Sequence, residues 1–376
     1  MSRVTLGEAF ILNPTVKLSK GTHAPFVDMA SLVPFTRNVS ATQDKPYGGG
    51  MKFCDGDVLM ARITPSLENG KTSVYRAAAN QRNAPAFGST EFIVIRGKEG
   101  ISSTSFAYYL FTSPEIRDYA ISSMNGSSGR QRVQHDSLDS FEIDLPELEE
   151  QRAIAATLGA LDDKIESNRR EIGTLQQLGD AIFAASSNES RLLSDVADIT
   201  MGSSPKGADL NEHRDGLPFY QGTRDFGFRF PTLRVWTTAP VRTAAKNDTL
   251  MSVRAPVGEL NRAHADCCIG RGVAAIHSET HPSTLYYAMR NSTSAWNKFQ
   301  GEGTVFASVN KTDVHSAEVR WVGDDVTLEL EERLHAIDVR IESLEEESRR
   351  LAALRDTLLP ELLSGRVRVP IEGDHA

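Results

Sequence analysis

The strongest constraint on the fold is an internal repeat: the same order of segments occurs twice within 376 residues. The most similar stretches are ALDDKIES at 160–167 and AIDVRIES at 336–343, which lie 176 residues apart. Further pairs, in the same order, are GDVLM at 56–60 with NDTLM at 247–251, Tyr108-Tyr109 with Tyr286-Tyr287, and FEI at 141–143 with AEV at 317–319. Because chance similarities rarely keep their order, the sequence predicts a duplication, in which a globular unit and a helix are followed by a second globular unit and a second helix.

Two long helices are the most regular predicted elements. The first is predicted from about Glu149 to Ala185, a stretch without proline, and each would have roughly 36 residues and a length of about 54 Å. Apolar side chains at three- and four-residue steps form a seam along both copies, a pattern typical of coiled coils. The seam residues are Leu158, Leu161, Ile165, Ile172, Leu175 and Ile182 in the first helix, and Leu334, Ile337, Ile341, Leu344, Leu351 and Leu358 in the second.

The ends of the helices carry local signals. Asp144 and Glu147, with Pro146 between them, are typical of a helix start, and Ser364-Gly365 is typical of a helix end. In the second copy the segment WVGD at 321–324 replaces the proline-rich entry, so the first residue of that helix is not predicted. Two matching helices, each behind a matching globular unit, favour an antiparallel pair. The alternative is two core helices of one compact domain.

The predicted fold class is α/β (mixed α+β), with two globular domains joined by two long antiparallel coiled-coil helices in a pseudo-two-fold internal repeat. Short β-type runs at 92–95 and 273–276 each precede a helical stretch around a tyrosine pair. The predicted domains are 1–145 and 188–323, which are globular, and 146–187 and 324–376, which are helical, the last with a tail.

The charge distribution keeps nucleic acid among the predicted partners despite a net charge of −9. The two globular segments each carry +1, whereas the helical segments 146–187 and 324–376 carry −4 and −7. The acidity therefore lies in segments that need not contact phosphates. No apolar run is long enough to span a membrane. Three cysteines without a disulfide or zinc spacing make a reducing cytoplasm the expected location.

Nucleotide and methylation motifs are not found. The segment NGKT at 69–72 resembles part of a phosphate-binding loop, but Pro65 occupies the position where that loop needs a glycine. No GxGxxG motif follows a predicted strand, and the Asn/Asp-Pro-Pro-aromatic signature of adenine methylation is missing. We therefore predict no cofactor and no catalytic residue.

Motifs for a metal site or for a catalytic nucleophile are not found either. His277 and His281 are four residues apart, but the intervening sequence is not that of a zinc protease, and Pro282 argues against a continuing helix. The GSSG segment at 126–129 departs from the GxSxG elbow of hydrolases. We predict no metal site, and a binding function is favoured over catalysis.

The duplicated pattern resembles the specificity subunit of type I restriction-modification systems. The residues that carry the likeness are DLPELEEQRAI at 144–154, LDDKI at 161–165, IDVRI at 337–341 and LRDTLLPELLSGRV at 354–367. The resemblance implies two target-recognition domains, each recognising one half of a split double-stranded DNA site. It also implies that the helices set the gap between the halves and dock two methyltransferase subunits, which restriction and translocase subunits then join.

Candidate DNA contacts are basic and amide side chains in predicted loops, because phosphates attract Lys and Arg and base edges bind Arg, Lys, Asn and Gln. They are Gln43, Lys45, Arg62, Lys71, Arg130 and Arg132 in the first unit, and Arg224, Arg254, Arg262 and Lys311 in the second. Tyr47 and Phe226 are candidates to line the groove. For each of these residues, ordinary solvation or packing is the alternative.

Two other functions remain open from the residues. One is a DNA-binding regulator or adaptor that uses the duplicated scaffold without a methyltransferase. The other is a purely structural coiled-coil scaffold, which leaves two matched globular units unexplained.

Overall fold

Each of the two long helices is shared between two units of the chain. The first unit comprises Met1–Glu166 and Ser348–Ala376, and the second comprises Ser167–Glu347. The computed structural model describes residues 1–127, 129–299, 308–324 and 326–370, so Ser128 of the GSSG segment and the tail 371–376 lie outside the described residues. The unit boundaries fall inside both long helices, and the helical segments share cores with the globular segments.

The described residues of the first unit form three sheets. Its strands are β1 (Ser2–Thr5), β2 (Phe10–Leu12), β3 (His23–Val27), β4 (Asn38–Val39), β5 (Gln43–Pro46), β6 (Met51–Phe53), β7 (Val58–Ala61), β8 (Thr72–Tyr75), β9 (Ala86–Gly88), β10 (Phe92–Gly97) and β11 (Glu142–Leu145). Its helices are α1 (Leu6–Ala9), α2 (Thr104–Thr112), α3 (Pro114–Ser122), α4 (His135–Asp139), the first half of α5 (Leu148–Ser186) and the C-terminal part of the last long helix, from Ser348. The strand orders are β2-β10-β7-β8-β4, β5-β3-β9-β6 and β1-β11.

The central strands of the first unit are continuous apolar runs because both of their faces are covered. All four residues of β7 are buried, as are the first four of β10. Behind them, α2 contributes Phe106 and Phe111, and the helical segments contribute Leu158 and Leu362 to the same core. The globular part and both helical segments of this unit therefore share one core.

The second unit is built in the same manner. Its strands are β12 (Glu189–Leu192), β13 (Asp198–Met201), β14 (Leu210–Asn211), β15 (Leu217–Tyr220), β16 (Trp236–Thr237), β17 (Thr243–Ala244), β18 (Thr249–Ser252), β19 (Leu260–Arg262), β20 (Cys267–Ile269), β21 (Val273–His277) and β22 (Glu318–Trp321). Its helices are the second half of α5, α6 (Leu193–Val196), α7 (Pro282–Arg290), α8 (Lys311–His315) and the first part of α9 (Thr327–Leu363), with short 3-10 turns at Gly207–Asp209, Thr223–Asp225 and Thr293–Phe299. The sheets are β13-β21-β18-β19, β14-β16-β15-β20-β17 and β12-β22.

The strand pairings agree with the predicted duplication. β1 pairs with β11, and β12 with β22, so in each unit an N-terminal strand meets the strand that precedes a long helix. The order β2-β10-β7-β8 recurs as β13-β21-β18-β19, with antiparallel neighbours throughout. In the other large sheet, one parallel pair, β3 with β9, recurs as β15 with β20. The mixed α/β fold class is thus confirmed.

The long helices lie close to their predicted bounds. α5 has 39 residues and α9 has 37, and α9 ends just before Gly365, whose φ of +70° is typical of a helix C-terminus. All twelve predicted seam residues are buried or half-buried. In the second unit Asn168 of α5 donates to Leu344 of α9, and in the first unit Arg355 of α9 donates to Asp162 of α5. Each unit thus contains an antiparallel pair of helical segments that also covers its core.

The structure also places the two histidines and the cysteines. His277 ends β21 and His281 precedes α7, whose first residue is Pro282, so no helix continues from His277 through His281, as Pro282 indicated. All three cysteines are free. Among the described helices, none combines the length and the apolar composition that a membrane crossing needs.

Candidate nucleic-acid interface

A loop pairing in the first unit brings three predicted arginines together. After β7, the carbonyl of Arg62 accepts from the amide of Val133 at 2.8 Å, and the Arg62 Nη2 donates back to the Val133 carbonyl at 3.1 Å. Arg132 precedes Val133 and forms an isolated bridge with Ile63. We call Arg62, Arg130, Arg132 and Glu91 the first loop site.

Glu91 orients Arg132. Its carboxylate accepts from Arg132 Nε at 2.9 Å and from Nη2 at 2.7 Å, a two-point contact that fixes the guanidinium plane. The hydrogen bond from Arg132 lowers the pKa of Glu91, so the carboxylate stays charged. Arg132 Nη1 also donates to the carbonyl of Arg130, at the end of the glycine-rich turn, and the Arg130 side chain is exposed. Arg132 is therefore held in place while Arg130 projects into solvent.

In the second unit, the loop after the equivalent strand makes the same backbone pairing with the residues before the equivalent short helix. After β18, the amide of Val309 donates to the Val253 carbonyl at 3.0 Å, and Arg254 forms a bridge with Ser308. Lys311 is the first residue of α8, behind the helix cap formed by Asn310. Both Arg254 and Lys311 are exposed, and we call them the second loop site. Residues 300–307, which precede this pairing, lie outside the described residues.

One sheet face of the first unit gathers a second group of candidates. Gln43 lies opposite Phe26, Phe26 opposite Phe87, and Lys52 opposite Phe87, so these side chains share one face. The Lys45 Nζ lies 4.2 Å from the centre of the Phe26 ring, and the Lys52 Nζ lies 4.8 Å from that of Tyr47. Such contacts hold ammonium groups in place without neutralising them. We call this the lysine–aromatic face.

Arg224 occupies a more isolated position in the second unit. It is exposed and lines a cavity of about 300 Å³ together with Gln221 and Arg234. Arg234 is 3.8 Å from Asp225, which also accepts from the Gln221 amide at 2.8 Å. Phe226, a candidate to line the groove, is half-buried and packs against the core cluster that contains Tyr220 and Leu250.

Two of the predicted DNA-contacting side chains bind other groups of the protein instead. Arg262 is 1% exposed and forms an ion pair with Asp338, so the prediction that it reaches DNA is wrong. Lys71 is half-buried and its Nζ donates to the Met29 carbonyl at 2.8 Å, which directs the ammonium group toward the protein. The NGKT segment thus supplies a structural lysine.

Two residues of these surfaces, Lys52 and Glu91, were not among the candidates predicted from the sequence. Lys52 has no recognisable motif, since only the pairing of β6 with β9 places it beside Tyr47 and Phe87. Glu91 has no motif either, because an acidic residue is not expected to contact a phosphate, and only its ion pair with Arg132 connects it to the candidate residues. In the described part of the chain, no group of three His, Cys, Asp or Glu side chains is placed to hold a metal ion.

Residues 34–177 match the family described as the type I restriction modification DNA specificity domain. Over 345 residues the chain is 27% identical to a protein named as the specificity subunit of the type I restriction enzyme MjaX of Methanocaldococcus jannaschii, with 84% of this chain and 79% of that protein covered. It is 25% identical over 190 residues to the EcoEI specificity subunit of Escherichia coli, with 48% of this chain and 32% of that protein covered. The crystal structure of a type I restriction-modification S subunit from M. genitalium has the same fold, with a TM-score of 0.55, 15% identity, and 96% and 95% of the two chains covered.

Proposed function

The chain belongs to the family of type I restriction-modification specificity subunits, and on this premise we propose that its two loop sites each contact one half of a bipartite DNA site. Proteins of this family recognise DNA sequence and leave the chemistry to other subunits, so the chain is a non-catalytic recognition subunit. Its place of action would be the cytoplasm, where the DNA and the partner subunits are.

The observation that carries the proposal is the equivalence of the two loop sites. Both loop pairings, Arg62 with Val133 and Val253 with Val309, follow equivalent strands and precede equivalent short helices. Each pairing brings basic side chains to the surface. A duplicated protein that contacts DNA twice needs such a pair of surfaces. The lysine–aromatic face adds phosphate contacts in the first unit, because its fixed ammonium groups suit backbone binding.

Exchange of one globular segment tests the proposal. Residues 188–323 begin after α5 ends at Ser186 and stop before α9 begins at Thr327, so their replacement by the matching segment of a relative leaves both long helices unchanged. We expect one half of the methylated sequence to change while the other half and the gap stay the same. The measurement is a map of methylated adenines in cells that carry the exchanged gene, compared with the original gene. A site altered in both halves, or in neither, would contradict independent recognition.

We further propose that the outer faces of the helices dock the two methyltransferase subunits. The seam residues, which we predicted on the partner-docking helices, are buried or half-buried within the chain, so more exposed positions on the same helices offer a partner more surface. Leu178 of α5 and Leu354 of α9 occupy equivalent positions in the repeat, and each is 48% exposed. An exposed leucine that recurs on both helices suits a partner that binds twice. The restriction and translocase subunits would then join the methyltransferase-bound complex.

Lysine substitutions test the docking sites. Leu178→Lys and Leu354→Lys are each expected to reduce the bound methyltransferase subunits from two to one, and the double variant to none, because a charge buried in an apolar contact is costly. Native mass spectrometry of the reconstituted complex counts the subunits. Val241→Lys, at a residue that is 55% exposed in a loop of the second unit, is the matched control. Two subunits bound to the double variant would refute these sites, and no binding by the unaltered chain would favour the regulator or adaptor alternative.

A further inference from the structure

A buried carboxylate fastens the globular part of the first unit to its helices. Asp162 of α5 is 6% exposed, and it accepts from the Tyr109 hydroxyl of α2 at 2.7 Å and from Arg355 Nη1 of α9 at 2.6 Å. Arg37 approaches from the loop before β4 and donates to the Tyr109 hydroxyl at 3.3 Å and to the Gly159 carbonyl at 3.1 Å. One aspartate thus joins α2, α5 and α9.

The second unit has an equivalent carboxylate with different cations. Asp338 of α9 lies at the position equivalent to Asp162 and accepts from the Tyr287 hydroxyl of α7 at 3.2 Å. Arg229 and Arg262 both donate to it, and both are almost fully buried. Arg229 also lies 3.5 Å from the centre of the Tyr286 ring. The tyrosine and the aspartate are therefore common to both units, while the cations come from α9 in the first and from the globular segment in the second.

Both tyrosines remain donors over the ordinary pH range. Burial raises the pKa of the Tyr109 hydroxyl, and the charge of Asp162 raises it further. Burial and Asp338 raise the pKa of Tyr287 in the same way. A neutral hydroxyl next to each carboxylate therefore always offers its proton to the same oxygen atoms.

Stability alone does not account for these contacts. Moving charged groups out of water is so unfavourable that apolar replacements often stabilise a protein as well or better. Apolar packing, however, tolerates small displacements of a globular part along a helix, whereas a hydrogen bond works only over a few tenths of an ångström. Buried polar contacts are thus suited to fixing one position along the helix.

We propose that these two buried clusters consist of positioning residues, which fix each globular part on its helices and so determine how strictly the gap between the half-sites is recognised. The clusters are Tyr109 with Asp162 and Arg355 in the first unit, and Tyr287 with Asp338, Arg229 and Arg262 in the second. This rests on the proposed function, in which the helices set that gap. In this proposal the residues do not contact DNA. They therefore affect which gap lengths are accepted and not which bases are recognised.

The units have independent attachments that would keep such variants folded. In the first, the Gln151 side chain accepts from the Ser103 amide at 2.9 Å just before α2. In the second, Glu331 accepts from the Ser283 and Thr284 amides in the first turn of α7, at 3.0 and 2.7 Å. Removing one hydroxyl from the buried contact therefore loosens the attachment without releasing it.

The experiment compares methylation of duplexes that differ only in gap length. Once the methylated site is known, duplexes with the native gap and with one base pair more or fewer are methylated by the complex reconstituted with its methyltransferase subunit. The quantity measured is the ratio of the rate on the native gap to the rate on the altered gaps. For Tyr109→Phe and Tyr287→Phe we expect this ratio to fall about tenfold, the factor that corresponds to about 1.4 kcal/mol, with the half-site sequences unchanged.

Two further variants make the result decisive. Tyr119→Phe removes a hydroxyl that donates to Ser137 within the globular part, at 3.0 Å, and it should leave the ratio as in the unaltered chain. Asp162→Asn keeps an oxygen for Tyr109 but loses the charge that binds Arg355, and it should lower the ratio as Tyr109→Phe does. Equal slowing on all gaps, or an unchanged ratio in folded Tyr109→Phe and Tyr287→Phe, would overturn the positioning role. An unaltered chain without any gap preference would instead overturn the proposed function and the inference with it.

Discussion

A four-residue insertion made in both long helices is expected to lengthen the gap in the methylated site by one to two base pairs and to leave both half-sites unchanged. The insertions belong between Glu166 and Ser167 in α5 and between Glu347 and Ser348 in α9, where the chain divides into its two units. Four residues add about 6 Å of helix, and one base pair occupies about 3.4 Å. They also add about 40° beyond one full turn, which a coiled pair absorbs more easily than a half turn.

The structure also supplies a control for this insertion. In the second unit Asp180 of α5 binds Arg290 of α7 at 2.7 Å, so the globular part is attached before the helix ends. An insertion near Ala185, at the end of α5, therefore adds residues beyond that attachment and is expected to leave the gap unchanged. Mapping methylated adenines for both insertions decides the matter. A soluble, active double insertion with the original gap would show that the helices do not set the spacing.

Alanine at the exposed residues of the loop sites is expected to weaken recognition of one half-site only. Arg130→Ala should affect the half recognised by the first unit, and Arg254→Ala and Lys311→Ala the other half. If the side chain contacts a base edge, the loss is about 1–3 kcal/mol and specificity relaxes at one position. If it contacts a phosphate, affinity falls for all sequences and the slope of log affinity against log salt decreases by about one.

The measurement is a set of binding curves at several salt concentrations for the reconstituted complex. The duplexes carry the intact site, a scrambled first half or a scrambled second half, so that the affected half is identified. Arg3→Ala is the matched control, because Arg3 is exposed but pairs with Glu142 across β1 and β11 and belongs to neither loop site. Unchanged affinity for the intact site in the combined variant of Arg130, Arg254 and Lys311 would exclude the loop sites as the interface.

Features that depend on local interactions could be predicted from the sequence. The spacing of Leu158, Ile172 and Leu344 reports on a helix surface directly, because residues three and four apart share a face. The order of the repeat likewise predicted which strands would be equivalent, since a duplication preserves the order of its parts. The bounds of α5 were therefore within one residue of the expectation, at Leu148 and Ser186.

The candidate DNA contacts were harder to predict because burial depends on distant partners. Arg262 is neutralised by Asp338, 76 residues further along the chain, and no local pattern distinguishes it from the exposed Arg254. Lys71 is held by a backbone carbonyl, which every residue possesses and which therefore leaves no trace in the sequence. The lysine–aromatic face depends on strand register, which sets the neighbours of Lys52. Long-range pairing thus decided which basic residues stayed available.

The shared core of the first unit has a consequence for how the protein is made. Its core includes Leu158 of α5 and also Leu359 and Leu362 of α9, whereas the second unit is a single continuous stretch, Ser167–Glu347. A ribosome adds about 5–20 residues each second, so roughly 200 residues and some 10–40 s separate the synthesis of the two parts of that core. The unit that leaves the ribosome first is therefore the last to be completed. A nascent chain interrupted before Ser348 would lose part of the core of its N-terminal half, while the residues of the second unit would all be present.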